Sequence, residues 1–117
     1  IAVGAVDDSL RRHLYSSCGP VSSQRKPDLV AQVPFPSIWR SGQPFGGTSA
    51  AAPQVAGIAA LLWSNEPDLK ASAVRAKMIA STRRIQDGLC DEIGYGVIRI
   101  PILKSEKSPL DTALPGR

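Results

Sequence analysis

The 117-residue sequence has few of the residues that build metal centres and disulfide frameworks. It contains two cysteines, Cys18 and Cys90, and one histidine, His13. Neither cysteine belongs to a Cys-x-x-Cys pair, and a zinc centre needs about four clustered ligands, so we predict no metal site and no certain cofactor. The sequence also lacks an apolar run long enough to cross a membrane and shows no signal peptide, so it predicts no membrane-spanning segment.

Extremes of composition are absent as well. Hydrophobic residues make up 43% and charged residues 21% of the chain, and the formal net charge is +4. Folding at this length buries roughly two-thirds of the chain surface, so these fractions predict a folded domain or part of one. We place the folded portion at residues 1–103 and a flexible, polar tail at 104–117. The apolar run that opens at Ile1 is interpreted as a strand that other residues precede in the whole protein.

Short apolar runs bounded by turn residues predict the strands of an α/β sheet. The stretches that fit this pattern are Ile1–Val6, His13–Ser17, Leu29–Ala31, Ile38–Arg40 and Gly94–Ile100. The polar, basic residues 21–27 predict a loop. Helical spacing of apolar residues begins at Thr48 and predicts two consecutive helices, the first of which ends near Trp63. The second is expected to be capped by Asp68 or Ser72 and to end near Thr82.

The block that leads into the first helix is the most informative part of the sequence. It reads Gly46-Gly47-Thr48-Ser49-Ala50-Ala51-Ala52-Pro53-Gln54-Val55-Ala56-Gly57. Unpaired backbone N–H groups and the positive end of the helix dipole lie at such a helix start, and both favour an oxyanion forming beside the Ser49 hydroxyl. Gly46 and Gly47 permit the close backbone approach that a substrate needs. Taken alone, however, a serine before an apolar helix is most often an N-cap.

The same block resembles the nucleophile signature of the subtilisin-like serine proteases, the subtilase family. Other segments resemble that family in the same order along the chain: Ile1–Asp7, Tyr15–Pro20, Lys26–Ala31, Trp63–Ala80 and Gly94–Ile98. The resemblance covers residues 1–100. It implies the C-terminal part of a three-layer α/β fold with a mostly parallel sheet and helices on both faces.

This resemblance implies a serine endopeptidase that hydrolyses protein or peptide substrates through an acyl-enzyme on Ser49. Backbone groups at Thr48 and Ser49 would support the oxyanion. Because the family's triad follows the order Asp, His, Ser, the Asp, the His and the oxyanion-hole Asn are expected before Ile1. The chain alone is therefore expected to be inactive. The resemblance further implies action outside the cytoplasm and leaves room for calcium in the complete domain.

Several positions depart from the family pattern or have a second interpretation. Gln32 and Val33 replace the family's Pro-Gly, and Gln54 replaces a His that is not the triad base. His13 is interpreted as a partly exposed surface residue, since the family's base comes much earlier along the chain. Asp28 matches an aspartate that in some members helps to bind a cation, although hydrogen bonding within a loop is the preferred interpretation.

The sequence also admits three further hypotheses. A subtilisin-like fold could serve as a non-catalytic interaction module. A helix-turn-helix nucleic-acid binder would use the basic residues of the second helix, but the nearly all-apolar first helix favours burial in a layered fold, so we predict no nucleic-acid partner. The resemblance also implies that the loops carrying Cys18 and Cys90 lie on the same side of the domain, so a disulfide between them is an expectation to test.

Overall fold

A computed structural model of the protein describes residues 1–21, 23–36, 43–85 and 90–101. Its elements follow one another along the chain as β1 Val3–Val6, β2 Gly19–Val21, β3 Gln24–Lys26, β4 Leu29–Gln32, α1 Thr48–Asn65 and α2 Ala71–Ala80. β1, β4 and both helices lie where the sequence predicts them. The predicted extended piece at Ile38–Arg40 and the predicted tail at 104–117 fall outside the described residues.

β1 and β4 form a parallel pair, with Val3 opposite Leu29 at the start of the register. Parallel sheets are normally covered on both faces, and successive side chains of a strand point to opposite faces. Leu29 and Ala31 accordingly pack with residues of both helices, whereas Val30 packs with the segment 93–97 on the other face. The larger of the two apolar clusters, between the sheet and the helices, forms the core and confirms the predicted α/β fold.

The two helices belong to this core and do not form an independent helix-turn-helix unit. α1 contacts β1, β4 and α2, and Val55 and Leu62 are among its buried residues. α2 begins after Lys70, which makes no side-chain capping bond. The expected caps at Asp68 and Ser72 are therefore wrong, because packing against α1 holds the short second helix without them.

The predicted strand at His13–Ser17 is wrong, because this segment is a turn. The guanidinium group of Arg12 donates hydrogen bonds to the backbone carbonyls of His13 (3.2 Å) and Ser16 (2.6 Å). The Ser16 N–H also donates to the His13 carbonyl, at 2.9 Å. Since these bonds satisfy groups that a strand would pair with a neighbour, the chain curls back instead of extending.

Two other expectations about strands are corrected by local backbone geometry. The stretch 21–27, predicted as a loop, contributes β3 to an antiparallel hairpin in which Gly19 lies opposite Lys26. The stretch Gly94–Ile100 is not a strand, although Val97 makes single bridges to β4 and to residue 83. The φ angles of 59° at Gly94 and 128° at Gly96 bend the chain away from an extended conformation.

The cysteines are brought into adjoining segments but are not bonded. Gly19 donates a backbone hydrogen bond to the carbonyl of Asp91, at 3.0 Å, so the loops after Cys18 and Cys90 do meet. Both thiols are free; Cys18 is exposed, and the sulfur of Cys90 accepts a hydrogen bond from the N–H of Glu92 at 3.3 Å. The expected disulfide is therefore absent from the structure.

Candidate active site

Ser49 is the second residue of α1 and is exposed. Gly47 occupies the N-cap position, so the cap residue has no side chain with which to bond the first N–H groups of the helix. The simple interpretation of Thr48 or Ser49 as an N-cap therefore fails. Because the helix leaves its first backbone N–H groups without intrahelical partners, donors remain at the point where an oxyanion beside Ser49 would form.

The start of α1 lies at the carboxyl end of β4. The side-chain amide of Gln54 donates to the carbonyl of Gln32 at 2.9 Å, and also to the carbonyl of Ala50 at 3.0 Å. Gln54 thus ties the second turn of the helix to the last residue of the strand. In open α/β sheets ligands bind outside the carboxyl ends of the strands, so Ser49 lies at the edge where chemistry is expected.

His13 and Tyr15 reach the same edge from the turn after β1. The Nε2 atom of His13 lies 3.1 Å from the carbonyl oxygen of Val33, and the imidazole stacks on the Tyr15 ring with centroids 4.8 Å apart. The Tyr15 hydroxyl accepts a hydrogen bond of 3.3 Å from the N–H of Gly47. Sequence reasoning missed Tyr15, because its partner lies 32 residues away and no local pattern signals the contact.

No general base lies within hydrogen-bond distance of the Ser49 hydroxyl among the described residues. None of them hydrogen bonds to its hydroxyl, and the His13 imidazole is occupied by Val33 and Tyr15. The described residues also hold no group of three or more His, Cys, Asp or Glu placed to bind a metal ion. A base for Ser49 would have to come from residues other than these.

An apolar groove runs along the exposed side of α1, beside the candidate site. Its volume is about 720 Å³. The residues that line it include Phe35, Phe45, Pro53, Gly57, Ile58 and Leu61. Phe35 and Phe45 exchange two backbone hydrogen bonds of 2.8 and 2.9 Å, which hold these two residues side by side. Phe35 and Phe45 therefore form one side of the groove, the side nearest to Gly47 and Ser49 along the chain.

Asp28 lies at the opposite, amino end of β4 and is buried. Its carboxylate accepts hydrogen bonds from Lys26 at 2.9 and 3.0 Å, from Arg75 at 2.8 Å, and from the N–H of Ala2 at 2.7 Å. Burial acts to raise the pKa of Asp28, but the bonds from Lys26 and Ala2 and the charges of Lys26 and Arg75 outweigh it, so the pKa lies below its ordinary value. The chain's own cations thus occupy this carboxylate, which agrees with a structural role and leaves it no free oxygen for a metal ion.

Among the residues that the structure describes, no helix has the length and apolarity needed to cross a membrane. The fold and the place of Ser49 define an α/β protein with an exposed serine where a helix starts at the carboxyl edge of a parallel sheet.

The chain belongs to the subtilase family, whose sequence model matches residues 1–96. It is similar to subtilisin DY of Bacillus licheniformis, with 36% identity over 100 residues that cover 86% of this chain and 35% of that protein. It is similar to subtilisin E of Bacillus subtilis at 37% identity over 78 residues, covering 67% of this chain and 20% of that protein. The CspB protease of Clostridium perfringens has a similar structure, with a TM-score of 0.70 at 30% identity; the match covers 84% of this chain and 24% of CspB. The chain thus spans only about a third or less of these relatives.

Proposed function

We propose that the protein containing this chain is a serine endopeptidase and that Ser49 is its nucleophile. The observation that carries the proposal is the exposed Ser49 in the first turn of α1, behind Gly47, at the carboxyl edge of the sheet. Membership in the subtilase family supports the same chemistry. In this mechanism the Ser49 oxygen attacks a peptide carbonyl, the amine leaves, and water hydrolyses the acyl-enzyme.

The start of α1 would stabilise the charge that develops on the substrate oxygen. The N–H of Ser49, with support from Thr48, would donate to the oxyanion, and the positive end of the helix dipole points to the same place. A His outside this chain would take the proton of the Ser49 hydroxyl, and an Asp would hold that His in the useful tautomer. Both groups, with an oxyanion-hole Asn, would belong to a part of the protein before Ile1.

The remaining expectations follow from the same assignment. The substrates are proteins or peptides, and the protein acts outside the cytoplasm, as the resemblance implies. Residues 1–103 form the C-terminal portion of the peptidase domain. The 117-residue chain alone does not cleave peptides, because a serine hydroxyl without a positioned base is a weak nucleophile at neutral pH and a general base contributes about 10² to 10⁴-fold.

A fluorophosphonate probe, which reacts with activated serines, tests the proposal in the full-length protein. Ser49→Ala should abolish labelling and reduce peptide hydrolysis by at least about 10³-fold, since residues of a catalytic triad act as a unit. Ser64→Ala is the matched control, because Ser64 is also an exposed serine of α1 but lies in its last turn. This control should retain full labelling and activity.

Two outcomes would contradict the proposal. Labelling that survives Ser49→Ala would place the nucleophile elsewhere. Intact full-length protein that neither labels nor hydrolyses peptides would favour the alternative, a non-catalytic subtilisin-like interaction module, and binding of peptides without turnover would then be the property to measure.

A further inference from the structure

The hydrogen bond between Tyr15 and Gly47 joins the turn after β1 to the residue that precedes Thr48 and Ser49. We propose that Tyr15 is a positioning residue for Ser49: its hydroxyl holds the Gly47 peptide, and through it the first turn of α1, in the geometry that catalysis needs. This inference rests on the proposed function. Three features of the structure carry it.

The first feature is the rigidity of the turn that presents Tyr15. Arg12 donates to the Ser16 carbonyl on the far side of the turn, at 2.6 Å. The Ser16 hydroxyl is fully buried and accepts a hydrogen bond of 2.9 Å from the N–H of Ala5 in β1. The N–H of His13 donates to the Ala5 carbonyl at 3.0 Å. The backbone on both sides of Tyr15 is therefore fixed to the sheet.

The second feature is the support of the Tyr15 ring. The imidazole of His13 stacks on it with an interplanar angle of 10°. His13 is held in turn by Val33, whose carbonyl oxygen lies 3.1 Å from Nε2, so this nitrogen carries the ring proton and donates it. Val33 is itself fully buried, and its N–H donates to the Val6 carbonyl at 2.9 Å. The hydroxyl of Tyr15 thus reaches Gly47 from a half-exposed ring that the His13 imidazole supports on one face.

The third feature is the backbone conformation of Gly47. Its φ of 78° and ψ of 170° fall in a region that only glycine adopts readily, and such conformations persist where the surroundings hold them. The Gly47 carbonyl accepts the N–H of Ala50 at 3.0 Å, so the helix fixes one side of this residue. Tyr15 fixes the other side. A rotation at Gly47 would move the N–H of Ser49, and active-site groups need placement to within about 0.5 Å.

Tyr15→Phe in the full-length protein tests the proposal, because it removes the hydroxyl and keeps the stacked ring. We expect kcat, normalised to sites titrated with fluorophosphonate, to fall about three- to tenfold while KM stays unchanged, which is the effect of losing one hydrogen bond that matters in the transition state. Tyr95→Phe is the matched control. The N–H of Tyr95 donates to the Asp28 carbonyl, at the amino end of β4, so this tyrosine lies at the opposite edge of the sheet and its substitution should leave kcat unchanged.

The outcomes separate this inference from the proposed function. If Ser49→Ala abolishes labelling but Tyr15→Phe keeps the normalised kcat, the proposed function stands and the positioning role is wrong. A raised KM at unchanged kcat would overturn it too, because Tyr15 would then contact substrate directly. So would a lowered melting temperature at unchanged normalised kcat, which is the result of a purely structural contact. Labelling that survives Ser49→Ala refutes the proposed function itself.

Discussion

The two ends of the parallel strands β1 and β4 are completed in different ways. At the amino end the buried carboxylate of Asp28 has partners on three sides, and the backbone at Gly94 presses against the backbone at 27–28. At the carboxyl end, where Ser49 lies, a Cβ atom added at Gly46 would meet no described atom within 4 Å apart from its chain neighbours. Apolar surface is exposed along the groove at this end.

The two ends therefore differ in packing: residues of this chain pack closely around the amino end and leave the carboxyl end open. At the amino end the buried carboxylate of Asp28 is paired and the backbone is closely packed. The carboxyl end shows an open groove of about 720 Å³ beside the candidate nucleophile. Since apolar patches of this kind mark surfaces that another segment or a ligand covers, the open end is where we expect another part of the protein or a ligand to pack.

Gly94→Ala should have the largest effect on stability, because it breaks the packed end. Gly94 has a φ of 59°, and a Cβ there would overlap the carbonyl oxygens of Pro27 and Asp28. Backbone atoms cannot move aside as a flexible side chain would, so we expect a loss of about 4 kcal/mol or more in the free energy of unfolding. Urea unfolding of the full-length protein measures it. A small effect of Gly94→Ala would mean that the amino end is looser than described.

Asp28→Asn should have an intermediate effect that depends on pH. The variant loses the charge that Lys26 and Arg75 bind, which should cost about 1–3 kcal/mol at pH 7. Because the pKa of Asp28 is lower in the folded chain than its ordinary value of 3.8, its carboxylate stabilises the fold fully above about pH 4. That contribution disappears as the pH falls through the lower, folded pKa.

The measurement for Asp28 is a set of urea midpoints between pH 7 and pH 3. The gap between the wild type and Asp28→Asn should stay constant down to about pH 4 and narrow below it. Glu92→Gln is the control, because Glu92 is an exposed carboxylate that lies 3.9 Å from Arg12 and should contribute little. A gap that widens in acid would show that the pKa of Asp28 is raised, contrary to the network of bonds around it.

Much of this architecture could be predicted from the sequence, because the residues that build it repeat with the right period. Continuous apolar runs indicated β1 and β4, and helical spacing after the Gly-Gly-Thr-Ser block indicated α1 and the place of Ser49 at its start. The hairpin of β2 and β3 could not be predicted, since its polar residues pair locally and bury no apolar face. The bend at Gly94 depends on a left-handed backbone conformation that composition does not reveal.

The place of Ser49 at the start of α1 could be predicted, because Ser49 stands in a long motif. The contacts of Tyr15 and His13 beside it could not. Tyr15 bonds to Gly47, 32 residues away, and His13 bonds to Val33, 20 residues away. These contacts form because the turn after β1 packs against the end of β4. The sequence pattern predicted a strand for that turn, because the bonds from Arg12 that bend it leave no periodic signal.

Gly57→Ala should have the smallest effect and tests whether the groove is open. In the 117-residue chain a methyl group added at Gly57 meets no described atom outside the nearby backbone of its own helix. Alanine favours a helix over glycine by about 0.5–1 kcal/mol, so the variant should gain helical circular dichroism and stability. In the full-length protein we expect the opposite sign, since another part of the domain would pack closely on this face of α1. Ala60→Ser, on the same exposed side of the helix, controls for changes in polarity alone. A gain of stability in both backgrounds would show that the groove stays open in the whole protein. The contrast between the two ends of the sheet would then describe a binding surface and not a face that another part of the protein covers.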